Sequence, residues 1–237
     1  MLSAAAALLA ALLATPHLSA RPGVPVRTAA PGLTHLTIEP GRDALLYVPT
    51  GTAPGAKLPF ILLLHGATMR PESQLALFQG MAESKGIALL AVKSLDYTWD
   101  AIRGDYGPDL TFIDRALKEV FASVRVDPAR VAVEGFSDGA TYALGLALSN
   151  GDLFSSAMVF SAGFLPRFQQ QGKPRLFISH GTADRILPID QTGRPTVAVL
   201  RAAGYRIEYR EFDGPHRIPP DIAAAAVDWL LASPAAR

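Results

Sequence analysis

Five consecutive apolar residues, Phe60-Ile61-Leu62-Leu63-Leu64, place the tightest constraint on the fold of this chain. A strand sends successive side chains to opposite faces, so an unbroken apolar run must be covered on both. The rest of the chain can supply that cover. From Leu33 onward, short strand-like runs alternate with longer segments of helical period, the pattern of a mainly parallel sheet with helices on both faces. Eight strands are expected, near Leu33–Glu39, Ala44–Val48, Phe60–Leu64, Ala88–Lys93, Val131–Glu134, Ser156–Ser161, Arg175–Ser179 and Ile207–Phe212. The first two read as an antiparallel meander. Helices are expected near Glu72–Lys85, Pro108–Ser123, Gly139–Ser149, Gln191–Ala203 and Pro219–Leu231, the last opened by Pro219 or Pro220 as a first-turn proline. Between the sixth and seventh strands, Gly163 to Lys173 holds 11 residues, too few for a multi-helix lid, so an open cleft is expected.

One α/β domain can absorb the whole length of 237 residues. With 49% hydrophobic and 18% charged residues, the balance is that of a globular protein, not a disordered or fibrous one. The 22 Lys plus Arg against 21 Asp plus Glu contain no run that suggests a nucleic-acid groove or a polybasic anchor. The chain has no cysteine, which excludes a disulfide framework, a thiolate zinc site and a cysteine nucleophile. Leu2 to Leu13 is almost wholly apolar and is followed by Thr15-Pro16-His17-Leu18-Ser19-Ala20, ending in small residues. Residues 1–20 therefore read as an export signal cleaved after Ala20, which implies a secreted or periplasmic protein. No Lys or Arg precedes the run, so an ordered or frayed amino-terminal helix is the alternative. Its length falls short of the roughly 20 residues a bilayer span needs, so no stable membrane anchor is expected. Pro-rich Arg21 to Pro31 reads as a flexible lead-in, leaving residues 32–237 as the folded domain.

Gly135-Phe136-Ser137-Asp138-Gly139 falls where the strand Val131–Glu134 should turn into the next helix. A serine on so sharp a turn needs unusual backbone angles, and glycines two positions either side remove Cβ atoms that would collide with neighbouring elements. A glycine-flanked turn without chemistry is the alternative. His65-Gly66-Ala67-Thr68 directly follows the buried strand, where one donor of an oxyanion hole is expected. The backbone N–H of Ala67, with that of Asp138, is the candidate pair. His65 itself reads as a residue that fixes its loop by hydrogen bonding.

Two further motifs, His180-Gly181-Thr182-Ala183-Asp184 and Gly214-Pro215-His216, follow the seventh and eighth strands. All these loops lie at carboxyl ends of strands, where ligands of open parallel sheets gather. A serine hydroxyl is a poor nucleophile until a base takes its proton. His216 suits that role, and a carboxylate on its other ring nitrogen would fix the tautomer and stabilise the transient imidazolium. Asp184 is placed best for it. Asp213 and Asp190 are rivals, the first on the same short loop as His216 and the second beyond the strand end. His180 reads as structural. Met69, Trp99, Ile186 and Leu187 are candidate substrate contacts. Buried packing and a grip on substrate are equally open for Trp99, while Asp100, Arg103 and Asp105 read as loop-fixing.

These residues resemble a known family. Leu64-His65-Gly66, Val126-Asp127-Pro128-Ala129-Arg130-Val131, Gly135-Phe136-Ser137-Asp138-Gly139, His180-Gly181-Thr182-Ala183-Asp184 and Asp213-Gly214-Pro215-His216 look like the phospholipase/carboxylesterase group of α/β-hydrolases. That group is related to dienelactone-hydrolase-like and polyester-depolymerase-like esterases. The resemblance spans about Leu45 to Leu231. It implies the α/β-hydrolase fold and hydrolysis of carboxylic esters or thioesters, on small molecules or polymers, through Ser137, Asp184 and His216 with no metal or organic cofactor. The chain order Ser, Asp, His is that of this fold. Two positions depart from the group: Asp138 stands where Gln or Met is common, and Ala140 where a second Gly is frequent. A lysophospholipase, a peptidase or lyase on the same scaffold, and a non-catalytic binding module are the alternative readings.

Overall fold

The computed structural model describes residues 15–53 and 55–232. Its eight strands are β1 (Gly32–Glu39), β2 (Arg42–Val48), β3 (Leu58–Leu64), β4 (Ala88–Val92), β5 (Val126–Phe136), β6 (Ser156–Phe160), β7 (Arg175–Gly181) and β8 (Ile207–Phe212). The helices are α1 (Pro71–Lys85), α2 (Asp100–Arg103), α3 (Pro108–Phe121), α4 (Asp138–Ser149), α5 (Gly193–Ala202) and α6 (Pro220–Leu231). One sheet runs in the order β1-β2-β4-β3-β5-β6-β7-β8. β1 pairs with β2, and β2 with β4, antiparallel; every other pairing is parallel. This is the α/β-hydrolase architecture, with the expected meander at one edge.

The apolar run in β3 explains the two layers. Phe60, Leu62 and Leu64 pack into a core shared with Phe112 and Ile113 of α3 and Ala143 and Leu146 of α4. Ile61 and Leu63 face the other way, toward Leu75 and Phe78 of α1 and Val227 and Leu230 of α6. All five β3 residues are fully buried. At about 25 cal/mol per Å² of apolar area, each such side chain contributes roughly 1.5–3 kcal/mol. α4 is buried from Gly139 to Ser149, so it needs cover on its outer side as well. Tyr106 supplies part of it: a methyl on Gly145 would lie 2.0 Å from the Tyr106 hydroxyl.

Residues 15–20, read from the sequence as the end of an export signal, supply another part. Leu18 is fully buried. Its N–H donates to Asn150 Oδ1 at 2.7 Å, and Asn150 Nδ2 donates to the Pro16 carbonyl at 2.6 Å. Asp114 Oδ1 accepts from the Ser19 and Ala20 N–H groups at 2.7 and 2.8 Å. Farther along, Val26 and Arg27 donate to the Ala122 carbonyl, and Ala29 to that of Ser123. The prolines stiffen this segment, and partners far away in sequence hold it extended across the end of α3. The apolar run Leu2–Leu13 lies outside the described residues. Among the described residues no helix is long and apolar enough to cross a membrane.

Two boundaries also differ from expectation. β5 begins at Val126 because Val126 pairs with Leu58, after which the register shifts before Phe60 meets Val131. The four-residue α2 has too little length to show a helical period. No helix interrupts the path from Phe160 to Arg175, so the carboxyl edge of the sheet is uncapped there.

Candidate active site

Ser137 sits between β5 and α4 at φ 56°, ψ −119°, a left-handed conformation that non-glycine residues rarely adopt. Its neighbours explain how the turn is held. A Cβ on Gly135 would lie 2.2 Å from the Gly139 carbonyl oxygen, and one on Gly139 would lie 2.2 Å from that of Leu64. No side chain fits at either position. The Ser137 N–H donates to the Phe160 carbonyl at 2.9 Å, tying the turn to β6.

His216 and Asp184 reach this serine from the loops after β8 and β7. Ser137 Oγ lies 2.9 Å from His216 Nε2, and His216 Nδ1 lies 2.6 Å from Asp184 Oδ2. A carboxylate on Nδ1 requires the proton to be there, which leaves Nε2 to accept from the serine hydroxyl. Burial alone would raise the Asp184 carboxyl. The N–H groups of Leu187 and Ile186, at 2.8 and 2.9 Å, together with the His216 ring outweigh it and hold the carboxyl below the usual range. Asp184 is thus an anion at neutral pH, oriented by its own loop. The rivals lie elsewhere: Asp190 pairs with Arg194, and Asp213 makes no ion pair among the described residues. Phe136 packs against the His216 ring with centroids 4.7 Å apart and the planes tilted by 36°.

The loop carrying Ala67 abuts Ser137, since a methyl on Gly66 would lie 3.4 Å from Ser137 Cβ. Thr68, itself at φ 61°, donates its N–H to the Tyr97 carbonyl at 2.7 Å, which pins the loop. The Ala67 N–H makes no hydrogen bond among the described residues. That of Asp138 lies in the first turn of α4, where helix N–H groups have no intrahelical partner. The Asp138 carboxylate accepts from Thr98 Oγ1 at 2.6 Å, a contact no sequence motif announces.

His65 and His180 are committed to structure. His65 Nδ1 donates to the Gly66 carbonyl at 2.8 Å while Nε2 accepts from the Ser94 N–H at 3.1 Å, and burial keeps the ring neutral by lowering its pKa. His180 Nε2 donates to the Leu187 carbonyl at 2.7 Å, again with its pKa lowered by burial. Trp99 proves to be core, not a substrate contact. It is fully buried between His65 and Tyr142, and its indole N–H donates to the His65 carbonyl at 2.9 Å. Tyr97, two residues earlier and 55% exposed, is the aromatic that faces solvent on this loop. Met69 and Leu187 are half-buried on the two motif loops, and Ile186 is exposed. Asp100 accepts from the Gly107 and Asp109 N–H groups at 2.9 and 2.8 Å, and Asp105 from that of Tyr106 at 2.8 Å, so both fix loops. Arg103 pairs with Asp96. Among the described residues no group of three or more His, Cys, Asp or Glu could hold a metal ion.

Comparison with known proteins places this geometry. The family described as "Putative esterase" matches residues 37–196. The chain is similar to "Putative esterase NocK" of Nocardia uniformis subsp. tsuyamanensis, 30% identical over 145 residues that make up 56% of this chain and 42% of that protein. It therefore spans less than half the length of that relative. Solved structures that share its fold include the following two. A carboxylesterase of Bacillus cereus superposes with a TM-score of 0.63 at 18% identity, covering 83% of this chain and 96% of that one. The fluorophosphonate-binding serine hydrolase FphF of Staphylococcus aureus gives 0.68 at 14% identity, covering 86% and 99%.

Proposed function

We propose that this chain, which belongs to the family described as "Putative esterase", is an ester hydrolase of the carboxylesterase type that cleaves carboxylic esters through Ser137, with His216 as base and Asp184 orienting that base. The observation that carries this reading is the hydrogen-bonded chain from Ser137 Oγ to His216 to Asp184, at 2.9 and 2.6 Å, on a strained strand-to-helix turn.

The steps follow from that chain. His216 Nε2 takes the serine proton as Oγ bonds to the ester carbonyl carbon, and the electron pair of the C=O bond moves onto oxygen. The N–H groups of Ala67 and Asp138 then stabilise that oxyanion, each donor being worth about 3 kcal/mol in the transition state. As the C=O bond reforms, the bond to the leaving oxygen breaks, and His216 returns its proton to the departing alcohol. Water repeats the sequence on the acyl-enzyme and frees the acid. No cofactor is required. We further read Leu2–Leu13 as an export signal, placing the enzyme outside the cytoplasm; fractionation of cells expressing the full chain tests this.

The central test is hydrolysis of p-nitrophenyl esters from acetate to palmitate by the wild type and Ser137→Ala. Loss of a base-activated nucleophile lowers kcat by at least about 10⁴-fold, with an unchanged circular dichroism spectrum. Ester turnover retained by the folded variant would overturn the assignment, and cleavage of peptides alone by the wild type would move it to a peptidase.

A further inference from the structure

Two arginines flank the residues that meet at Ser137: Arg185 directly follows Asp184, and Arg217 directly follows His216. Both arginines are exposed, and neither makes a hydrogen bond or ion pair among the described residues. Arg194 nearby, by contrast, is paired with both Asp190 and Glu211. Arg217 folds back along its own loop, its Nε 3.5 Å from where a Gly214 Cβ would stand. Asp213 is an exposed acid on that loop.

Arg185 lines a depression of about 430 Å³ together with Ala183, Ile186, Pro215 and His216. The alcohol half of an ester must collect its proton from Nε2 of the His216 ring, so a hollow bordering that ring is where this half can rest. Ile186, 69% exposed, gives it an apolar wall. An unpaired guanidinium at the rim presents a planar fork suited to carboxylate or phosphate oxygens.

We propose that this depression is a leaving-group subsite for esters whose alcohol half carries an anion, a carboxylate or a phosphate, engaged by Arg185 with Arg217 adding to the field. The subsite rests on the reading of Ser137 as nucleophile and His216 as its base. It selects among esters; the bond broken remains the acyl carbon–oxygen bond.

Two ester pairs with a common acyl group test it. The first is 4-nitrophenyl butyrate against 3-carboxy-4-nitrophenyl butyrate; the second is 1-butyrylglycerol against its 3-phosphate. The quantity read is the ratio of kcat/KM for the anionic ester to that for its neutral partner. Arg185→Gln lowers the ratio about three- to fivefold, the size expected for one exposed charge contact. Arg185→Gln/Arg217→Gln lowers it further, and added salt lowers the wild-type ratio. Lys57→Gln, at the opposite edge of the sheet before β3, leaves it unchanged. A response in one pair alone supports the subsite and identifies carboxylate or phosphate as its ligand. Ratios that stay constant in the double variant, or that fall equally in Lys57→Gln, overturn the proposal while leaving the esterase reading intact. No Ser137-dependent turnover of either neutral ester by the wild type would instead remove the reading beneath it.

Discussion

Glu134 lies three residues before Ser137 on β5 and is completely buried. Gln74 Nε2 donates to its Oε1 at 2.6 Å, and Oε2 has no partner. Burial pushes this carboxyl well above its usual range, so the folded protein keeps a proton that the unfolded chain loses near pH 4.5. Its contribution to stability is therefore complete below that pH and is lost as pH rises toward the folded-state value. Glu134→Gln removes the titration. Urea unfolding from pH 4 to 8 should show the wild type losing ground to the variant by about 1.4 kcal/mol per pH unit above roughly pH 5, until the folded-state value is reached. Parallel pH profiles would contradict a neutral Glu134. At this scale the sequence is readable where chemistry forces a local pattern. Glycines with no room for a Cβ mark the Ser137 turn, and short loops after strands mark Asp184 and His216. Partners across long separations are not readable: Thr98 and Asp138 are 40 residues apart, and nothing near Trp99 tells a buried loop aromatic from an exposed one.

Among the elements, α4 illustrates how an apolar helix creates a demand that a distant segment meets. Its carboxyl end is closed by Asn150, whose side chain holds Pro16 and Leu18. A chain beginning at Arg21 loses the burial of Leu18, worth roughly 1.5–3 kcal/mol, and leaves Asn150 without those partners at a further cost of about 1 kcal/mol or more. Residues 21–237 should accordingly melt roughly 6 to 12 °C below residues 15–237, for a loss of about 3 kcal/mol in a domain of this size. Equal Tm values would mean that the segment adds nothing to the folded body. Strand positions were legible because each is a short apolar run bounded by turn residues. The amino-terminal strap was not, because a proline-rich composition describes the free chain, while Asp114 and Asn150 determine its place in the folded one.

For the molecule as a whole, the sheet brings four loops to one uncapped edge: those after β3, β5, β7 and β8. Ala67, the adjacent Ser137 and Asp138, Asp184 and His216 thus arrive on four loops of elements that fold around a common core. A parallel sheet favours this arrangement because every strand from β3 to β8 ends on the same side. The same edge carries Arg185 beside Asp184 and Arg217 beside His216. Intact-protein mass spectrometry after exposure to a fluorophosphonate tests the central claim most directly, because it reads the nucleophile without presuming a substrate. A single adduct is expected, mapped by peptide digestion to Ser137 and absent from folded Ser137→Ala. No adduct on the folded wild type, or an adduct that persists in Ser137→Ala, would contradict it.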